Sequence, residues 1–274
     1  PAGIRVNPKV YQRGDAYINN VEEDPILGKV LPPELRKVDL SGTEVKYQYC
    51  TALPVAVQIA QTWNPKLAEL AGDVASSEMD ELGIDLWLAP GMNIHRNPLC
   101  GRNFEYYSED PYLSGVFAAA VTRGVQKHPG KGTCIKHLAV NNQETNRSTS
   151  NSHVSERALR EIYLKGFEIC VKEAQPLSAM TSMNLLNGIH TANDPDLLTH
   201  ALRDEWGFAG IVMTDWGVTG SFVHIGEELK YGPATSVDCI LAGNDLIMPG
   251  TKFDEDTLTA PAASTTSNSL ALSV

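Results

Sequence analysis

The sequence lacks any long apolar run. Nowhere in its 274 residues do 18 consecutive apolar positions occur, so it offers no membrane-spanning helix. It also lacks an excess of basic charge. With 22 Lys and Arg against 33 Asp and Glu, the formal net charge is -11. Nucleic acid and anionic lipid both need a basic face, so neither is expected as a partner. Cysteine is sparse: Cys50, Cys100, Cys134, Cys170 and Cys239 are odd in number and show no CxxC spacing. That argues against a disulfide scaffold and for buried thiols in a reducing, cytoplasmic compartment. Seven histidines are present, but no HxxxH or HxH spacing joins them, and no metal is expected. The glycines at 124–132 and 217–220 form neither a P-loop nor a dinucleotide fingerprint, so no cofactor is expected either. Ser182 and Ser221 lack a nucleophile-elbow context, which argues against serine hydrolase chemistry.

The first residues, Pro1-Ala2-Gly3-Ile4-Arg5-Val6, contain neither an initiator methionine nor a basic-then-apolar leader, and are expected to continue a longer polypeptide. Residues 1–50 are broken by Pro8, Gly14, Pro25, Gly28, Pro32, Pro33 and Gly42 and read as an irregular surface segment. From residue 51 to 256 helices and strands alternate. Pro65 suits a first helical turn, Leu67, Leu70, Ala71, Val74, Met79 and Leu82 recur near helical spacing, and Gly83 suits the stop. Ile84–Leu88 then reads as a strand. Helices over 111–127, 155–173, 195–206 and 236–242 lead to strands at 133–135, 178–181, 210–213 and 245–247. The stretch 257–274, rich in Ser, Thr and Ala, reads as a flexible tail.

Such alternation implies an α/β fold with a parallel sheet, open or closed. Polar residues gather where the strands end: Asn93, His95 and Arg102, then Lys136 and His137, then Asn184, then Asp215 and Trp216. A (β/α)8 TIM-type barrel places its chemistry there, on one face. Only five or six strand–helix units are visible, so the barrel is expected to be incomplete or irregular.

Asp215 ends the apolar strand Gly210-Ile211-Val212-Met213-Thr214 beside Trp216. A strand end has no structural need of a carboxylate, and burying one without a partner costs several kcal/mol. Spacing alone does not choose between a catalytic acid and a helix N-cap. Lys136 and His137 are types that hold sugar hydroxyls and keep a nearby carboxylate ionised. Arg102 can fork two hydroxyls or pair with Glu105 or Glu109. Trp87, Tyr106, Tyr107 and Trp216 read as exposed aromatics of the kind that stack on sugar rings, although Trp87 suits a core position better.

These segments together resemble glycoside hydrolase family 3, in its β-glucosidase branch. The resemblance rests on Leu88-Ala89-Pro90-Gly91-Met92-Asn93-Ile94, on Gly101-Arg102-Asn103-Phe104-Glu105 through Ser108-Glu109-Asp110-Pro111, and on Ile135-Lys136-His137-Leu138-Ala139. It continues through Met180-Thr181-Ser182-Met183-Asn184 with Asn187-Gly188, then Thr214-Asp215-Trp216. Ala242-Gly243-Asn244-Asp245-Leu246 with Met248-Pro249-Gly250 ends it. The resemblance implies that Asp215 is the nucleophile and that Arg102, Lys136 and His137 hold the sugar bound there. Trp216 borders the same pocket, Glu105 pairs with Arg102, and Asn184 supports the site. The implied reaction is retaining hydrolysis of small β-glucosides or cello-oligosaccharides, releasing terminal β-D-glucose. A β-xylosidase or α-arabinosidase of the same family, or a non-catalytic sugar-binding piece, are the alternatives, and a homo-oligomer is compatible with the sequence.

Three departures from the family pattern stand out. The family usually has Asp-Gly-Pro, whose aspartate would ligate the sugar's distal hydroxyls, where these residues open with Pro1. Met183 stands where the family commonly has a tyrosine near the nucleophile. The family's acid/base is a glutamate on a separate α/β sandwich domain, a partner not contained in these residues. The opening resembles the subgroup in which that domain precedes the barrel.

Overall fold

Local chemistry sets the bounds of the main helices. Asn64 Oδ1 accepts the Lys66 N–H at 3.1 Å, Pro65 follows at the first helical position, and Gly83 ends the helix with φ 65°, giving α1 (Pro65–Leu82). Asp110 caps α2 (Pro111–Val125) in the same way, accepting the Tyr112 and Leu113 N–H groups at 2.8 and 3.3 Å. Ser155 accepts the Ala158 N–H at 3.3 Å. The helix expected over 155–173 begins there, but it widens into π-type turns over Leu159–Tyr163 before resuming as α3 (Lys165–Ala174). The segment Asp196–Glu205 is wound in π-type turns throughout. Two further helices follow, α4 (Ser236–Ala242) and α5 (Lys252–Thr259).

The computed structural model describes residues 3–4, 6–18, 20–23, 33–220 and 230–260. The opening Pro1 and Ala2, the breakers Pro25, Gly28 and Pro32, Ser221 and the tail beyond residue 260 lie outside them. The described start of the expected tail is the last turn of α5.

The expected irregular segment 1–50 instead contains a three-stranded antiparallel sheet, ordered β2 (Ala16–Ile18), β1 (Lys9–Arg13), β3 (Glu44–Tyr47). Gly14 and Asp15 close its hairpin, with Arg13 paired to Ala16. The main sheet is parallel and runs in chain order: β4 (Leu86–Trp87), β5 (Gly132–Leu138), β7 (Ser178–Thr181) and β10 (Ile211–Met213). The expected strand at 245–247 is reduced to one parallel bridge, Met213 to Leu246. Sequential parallel strands with the helices on one face form the wall of a TIM-type barrel. Among the described residues that wall does not close.

The two faces of the sheet are separate cores. Ile135, Ala179 and Val212 point outward into the cluster made by α1, α2, α3 and the Asp196–Glu205 turns. Cys134, Met180 and Met213 point inward and meet Leu86, Leu88 and Met248. The outer layer is drawn tight where α1 crosses α2: a Cβ on Gly72 would collide with the Val121 carbonyl, and one on Gly124 with the Glu69 carbonyl. All five cysteines are free thiols, and burial pushes Cys134 and Cys170 up to about 12.

Above the wall, β6 (Asn151–Ser152), β8 (Leu185–Leu186) and β9 (Ile189–His190) form a small sheet of their own. Its two-residue turn, Asn187-Gly188, has φ values of 50° and 96°, the left-handed pair a tight hairpin requires.

Candidate active site

A β-bulge explains how two consecutive residues of β5 face one site. Along a regular strand Lys136 and His137 would point to opposite faces. The pairing with β7 shifts between Ile135, opposite Ala179, and Leu138, opposite Thr181, which places one extra residue in β5 at Lys136–His137. Asn93, from the loop after β4, then holds the His137 backbone from both sides. Its Nδ2 donates to the His137 carbonyl at 2.9 Å, and its Oδ1 accepts the His137 N–H at 3.0 Å.

Asp215 follows β10 and is 8% exposed. Its Oδ2 lies 3.9 Å from His137 Nε2, and its Oδ1 accepts the Trp216 N–H at 2.7 Å. Trp216 remains 41% exposed beside it. The helix N-cap alternative is not realised, because described residues 216–220 form turns and no helix.

Arg102, Glu105 and Lys136 form a second group on the same side. Arg102 Nε donates to Glu105 Oε1, and Lys136 Nζ lies 3.8 Å from Glu105 Oε2. Burial pushes Glu105 upward, but the Arg102 hydrogen bond and the Lys136 and Arg102 charges outweigh it and hold the carboxyl below its usual range. Arg102 loses hydration too, yet the Glu105 hydrogen bond leaves its pKa raised. Burial, with Arg102 adding to it, lowers Lys136 against the opposing pull of Glu105. The three residues line a cleft of about 370 Å³ with Trp87, Leu88 and Phe104. Small-molecule sites commonly hold roughly 300–1,000 Å³. His137, Asp215 and Trp216 stand outside that lining.

The remaining expected residues are bound into the fold. Met183 is buried, with Ser148 Oγ donating to its Sδ at 3.7 Å. Asn184 Nδ2 donates to the Ala139 and Leu185 carbonyls, each at 3.2 Å. Asn244 and Asp245 are ties as well: Asn244 Nδ2 reaches the Ala192 carbonyl at 2.7 Å, and Asp245 Oδ2 accepts the Val212 N–H at 2.8 Å and Arg203 at 2.6 Å.

Two aromatics are corrected. Tyr106 and Tyr107 are buried, not exposed stacking platforms. Tyr107 packs against Phe117, with ring centroids 6.2 Å apart. Tyr106 turns its hydroxyl to His137 Nδ1 at 3.2 Å. Trp87 packs at the edge of the outer core, as its favoured reading had it. Residue-by-residue reading missed Asn141, Glu144 and Arg147, which reach the site through Tyr106. The one signal they leave in the sequence is their spacing just after the Lys-His strand.

The open parallel wall thus carries a buried strand-end carboxylate, an imidazole beside it and a cationic pair around a second carboxylate. The model of the glycosyl hydrolase family 3 N-terminal domain matches residues 19–263, and the chain belongs to that family. It is 47% identical over 210 residues to β-glucosidase A of Butyrivibrio fibrisolvens, covering 77% of this chain and 23% of that protein. It is also 47% identical over 194 residues to an exo-α-(1→6)-L-arabinopyranosidase of Bifidobacterium longum, covering 70% of this chain and 26% of that one. Among solved structures, β-glucosidase 3B from Thermotoga neapolitana in complex with glucose superposes with a TM-score of 0.71 at 45% identity, covering 93% of this chain. The chain spans less than a third of the length of each of these proteins.

Proposed function

We propose that this chain is the nucleophile-bearing barrel of a retaining β-glucosidase. The observation that carries the reading is the setting of Asp215, a carboxylate nine-tenths buried at a strand end, with His137 Nε2 3.9 Å away. Asp215 attacks the anomeric carbon of a terminal β-glucoside and forms a covalent glycosyl-aspartate. Water then opens that bond and releases β-D-glucose. Arg102, Lys136 and His137 hold the sugar hydroxyls, and Trp216 covers one face of the ring. Asn184 fixes the turn that carries Met183, which replaces the hydroxyl of the family's tyrosine with a thioether.

Retaining hydrolysis needs a second carboxyl group about 5–5.5 Å from the first, protonated when the leaving group departs. Glu105 does not suit that role, because its partners hold its pKa low whereas a general acid needs it raised. We assign the acid to a glutamate on an α/β sandwich domain elsewhere in the protein. The substrates are small β-glucosides and cello-oligosaccharides.

The arabinopyranosidase relatives favour a second reading, in which the same site takes an L-arabinopyranoside. A panel of aryl β-glucoside, β-xyloside and α-L-arabinopyranoside, assayed on the protein and on Asp215→Asn, separates them. The proposal expects the glucoside to have the highest kcat/KM and the variant to lose turnover of every substrate. Glucose binding by calorimetry without any turnover would instead identify a sugar-binding piece.

A further inference from the structure

A buried chain of hydrogen bonds runs from the surface to the candidate active site, and its ends fix its direction. Arg147 Nη1 donates to Glu144 Oε2 at 2.8 Å. Asn141 Nδ2 lies 3.3 Å from Glu144 Oε1 and 3.2 Å from the Tyr106 hydroxyl. The Tyr106 hydroxyl lies 3.2 Å from His137 Nδ1, and His137 Nε2 faces Asp215. Asn141 is 3% exposed, Tyr106 0% and His137 1%, so water has little access to the middle of the chain.

Each link constrains the next. A carboxylate paired with arginine only accepts, so Glu144 must face the amide nitrogen of Asn141 and not its oxygen. That nitrogen only donates, so Tyr106 accepts from it. The single phenolic proton is then available to point at His137 Nδ1. An imidazole nitrogen that accepts leaves the proton on the other nitrogen. We propose that Arg147, Glu144, Asn141 and Tyr106 act as positioning residues that hold His137 as the Nε2–H tautomer, with its N–H aimed at Asp215 and the ligand beside it.

The consequence is chemical. Burial, with Arg102 and Lys136 adding to it, lowers the pKa of the ring and so favours its neutral form. A neutral Nε2–H donor offers a hydrogen bond to a sugar hydroxyl and has no basic nitrogen turned to the site. The other tautomer would present a lone pair to Asp215, repelling the carboxylate and leaving both without a shared donor. The pair Lys136 and His137 thus divides the work: the lysine brings charge and the histidine brings direction.

This inference rests on the proposed function for its meaning but not for its test. Proton–nitrogen correlation spectra of protein labelled with 15N-histidine report the tautomer directly, with the His137 signals assigned by their loss in His137→Gln. The expected wild-type result is one protonated Nε2 and one bare Nδ1 over pH 6–8. Tyr106→Phe should convert this to a mixture or to Nδ1–H, and Asn141→Asp should do the same with Tyr106 itself left in place. Glu144→Gln frees the Asn141 amide to turn over and should give partial mixing. An Nδ1–H signal in the wild type, or an unchanged Nε2–H tautomer in folded Tyr106→Phe and Asn141→Asp, would overturn the proposal. Failure of the glucosidase reading would show in turnover and leave these spectra unaltered.

Discussion

His137 Nε2 stands 3.9 Å from Asp215 Oδ2, beyond a direct hydrogen bond and near enough for both atoms to touch one hydroxyl oxygen. His137 lies in β5 and Asp215 just after β10, 78 positions apart in the chain. The bulge in β5 and the Asn93 clamp on the His137 backbone set the position from which the imidazole reaches Asp215.

Glu105 is the hinge of the cationic group. Replacing it with glutamine leaves Arg102 and Lys136 near one another without their shared anion. Breaking a buried ion pair by removing one partner costs about 3–5 kcal/mol. Arg102 and Glu105 side chains retain 19% and 8% exposure, so Glu105→Gln should lose about 3 kcal/mol in urea denaturation. An unchanged midpoint would mean that the pair contributes nothing to the fold.

Two histidines should give opposite pH signatures. Hydrogen bonds to Asp73 at 2.9 Å and Asp80 at 2.7 Å raise His128 above the ordinary histidine range, with Lys127 and Lys131 nearby on the same cluster. A raised folded pKa gives stability that is present below the unfolded value of about 6.5 and is lost as pH rises through the folded value. His137 is lowered by burial, so its stabilising effect is present above about 6.5 and declines on acidification. The Tm difference between wild type and His128→Ala should therefore shrink from pH 6 to pH 9. The Tm difference between wild type and His137→Gln should shrink below pH 6. The reverse trends would contradict these assignments.

Gly124 tests the crossing of α1 and α2. On an exposed helix, glycine to alanine stabilises by roughly 0.5–1 kcal/mol. Here the added Cβ meets the Glu69 carbonyl, so Gly124→Ala should destabilise by about 2 kcal/mol, as overpacking does. A stabilised variant in denaturant titration would show that the helices can move apart at little cost.

What was legible in the sequence was mostly local. Pro65 and Gly83 mark α1 because helix start and stop signals act within a few residues, and they fall at the two ends of the helix. Lys136, His137 and Asp215 are legible as polar residues at strand ends for the same reason. The antiparallel sheet at the start was hidden by its own breakers, although Gly14-Asp15 between Lys9–Arg13 and Ala16–Ile18 is a two-residue hairpin signal. The strand drawn at 84–88 shrank to Leu86–Trp87, since pairing partners decide strand length and apolar runs do not. Tyr106 and Tyr107 were misjudged because their burial comes from a loop folding back on His137 and Phe117, which no local pattern encodes. The link from Asn141 to Tyr106, 35 residues apart, is of the same kind.

The central claim is that Asp215 forms a covalent bond to the sugar. A 2-fluoro-2-deoxy-β-glucoside with an activated aryl leaving group needs little proton donation and traps the glycosyl-enzyme. Digestion and tandem mass spectrometry locate the adduct. The account predicts one 2-fluoroglucosyl group on the peptide containing Thr214-Asp215-Trp216, carried by Asp215 and absent in Asp215→Asn. An adduct on Glu105 or any other carboxylate, with Asp215 unmodified, would contradict it.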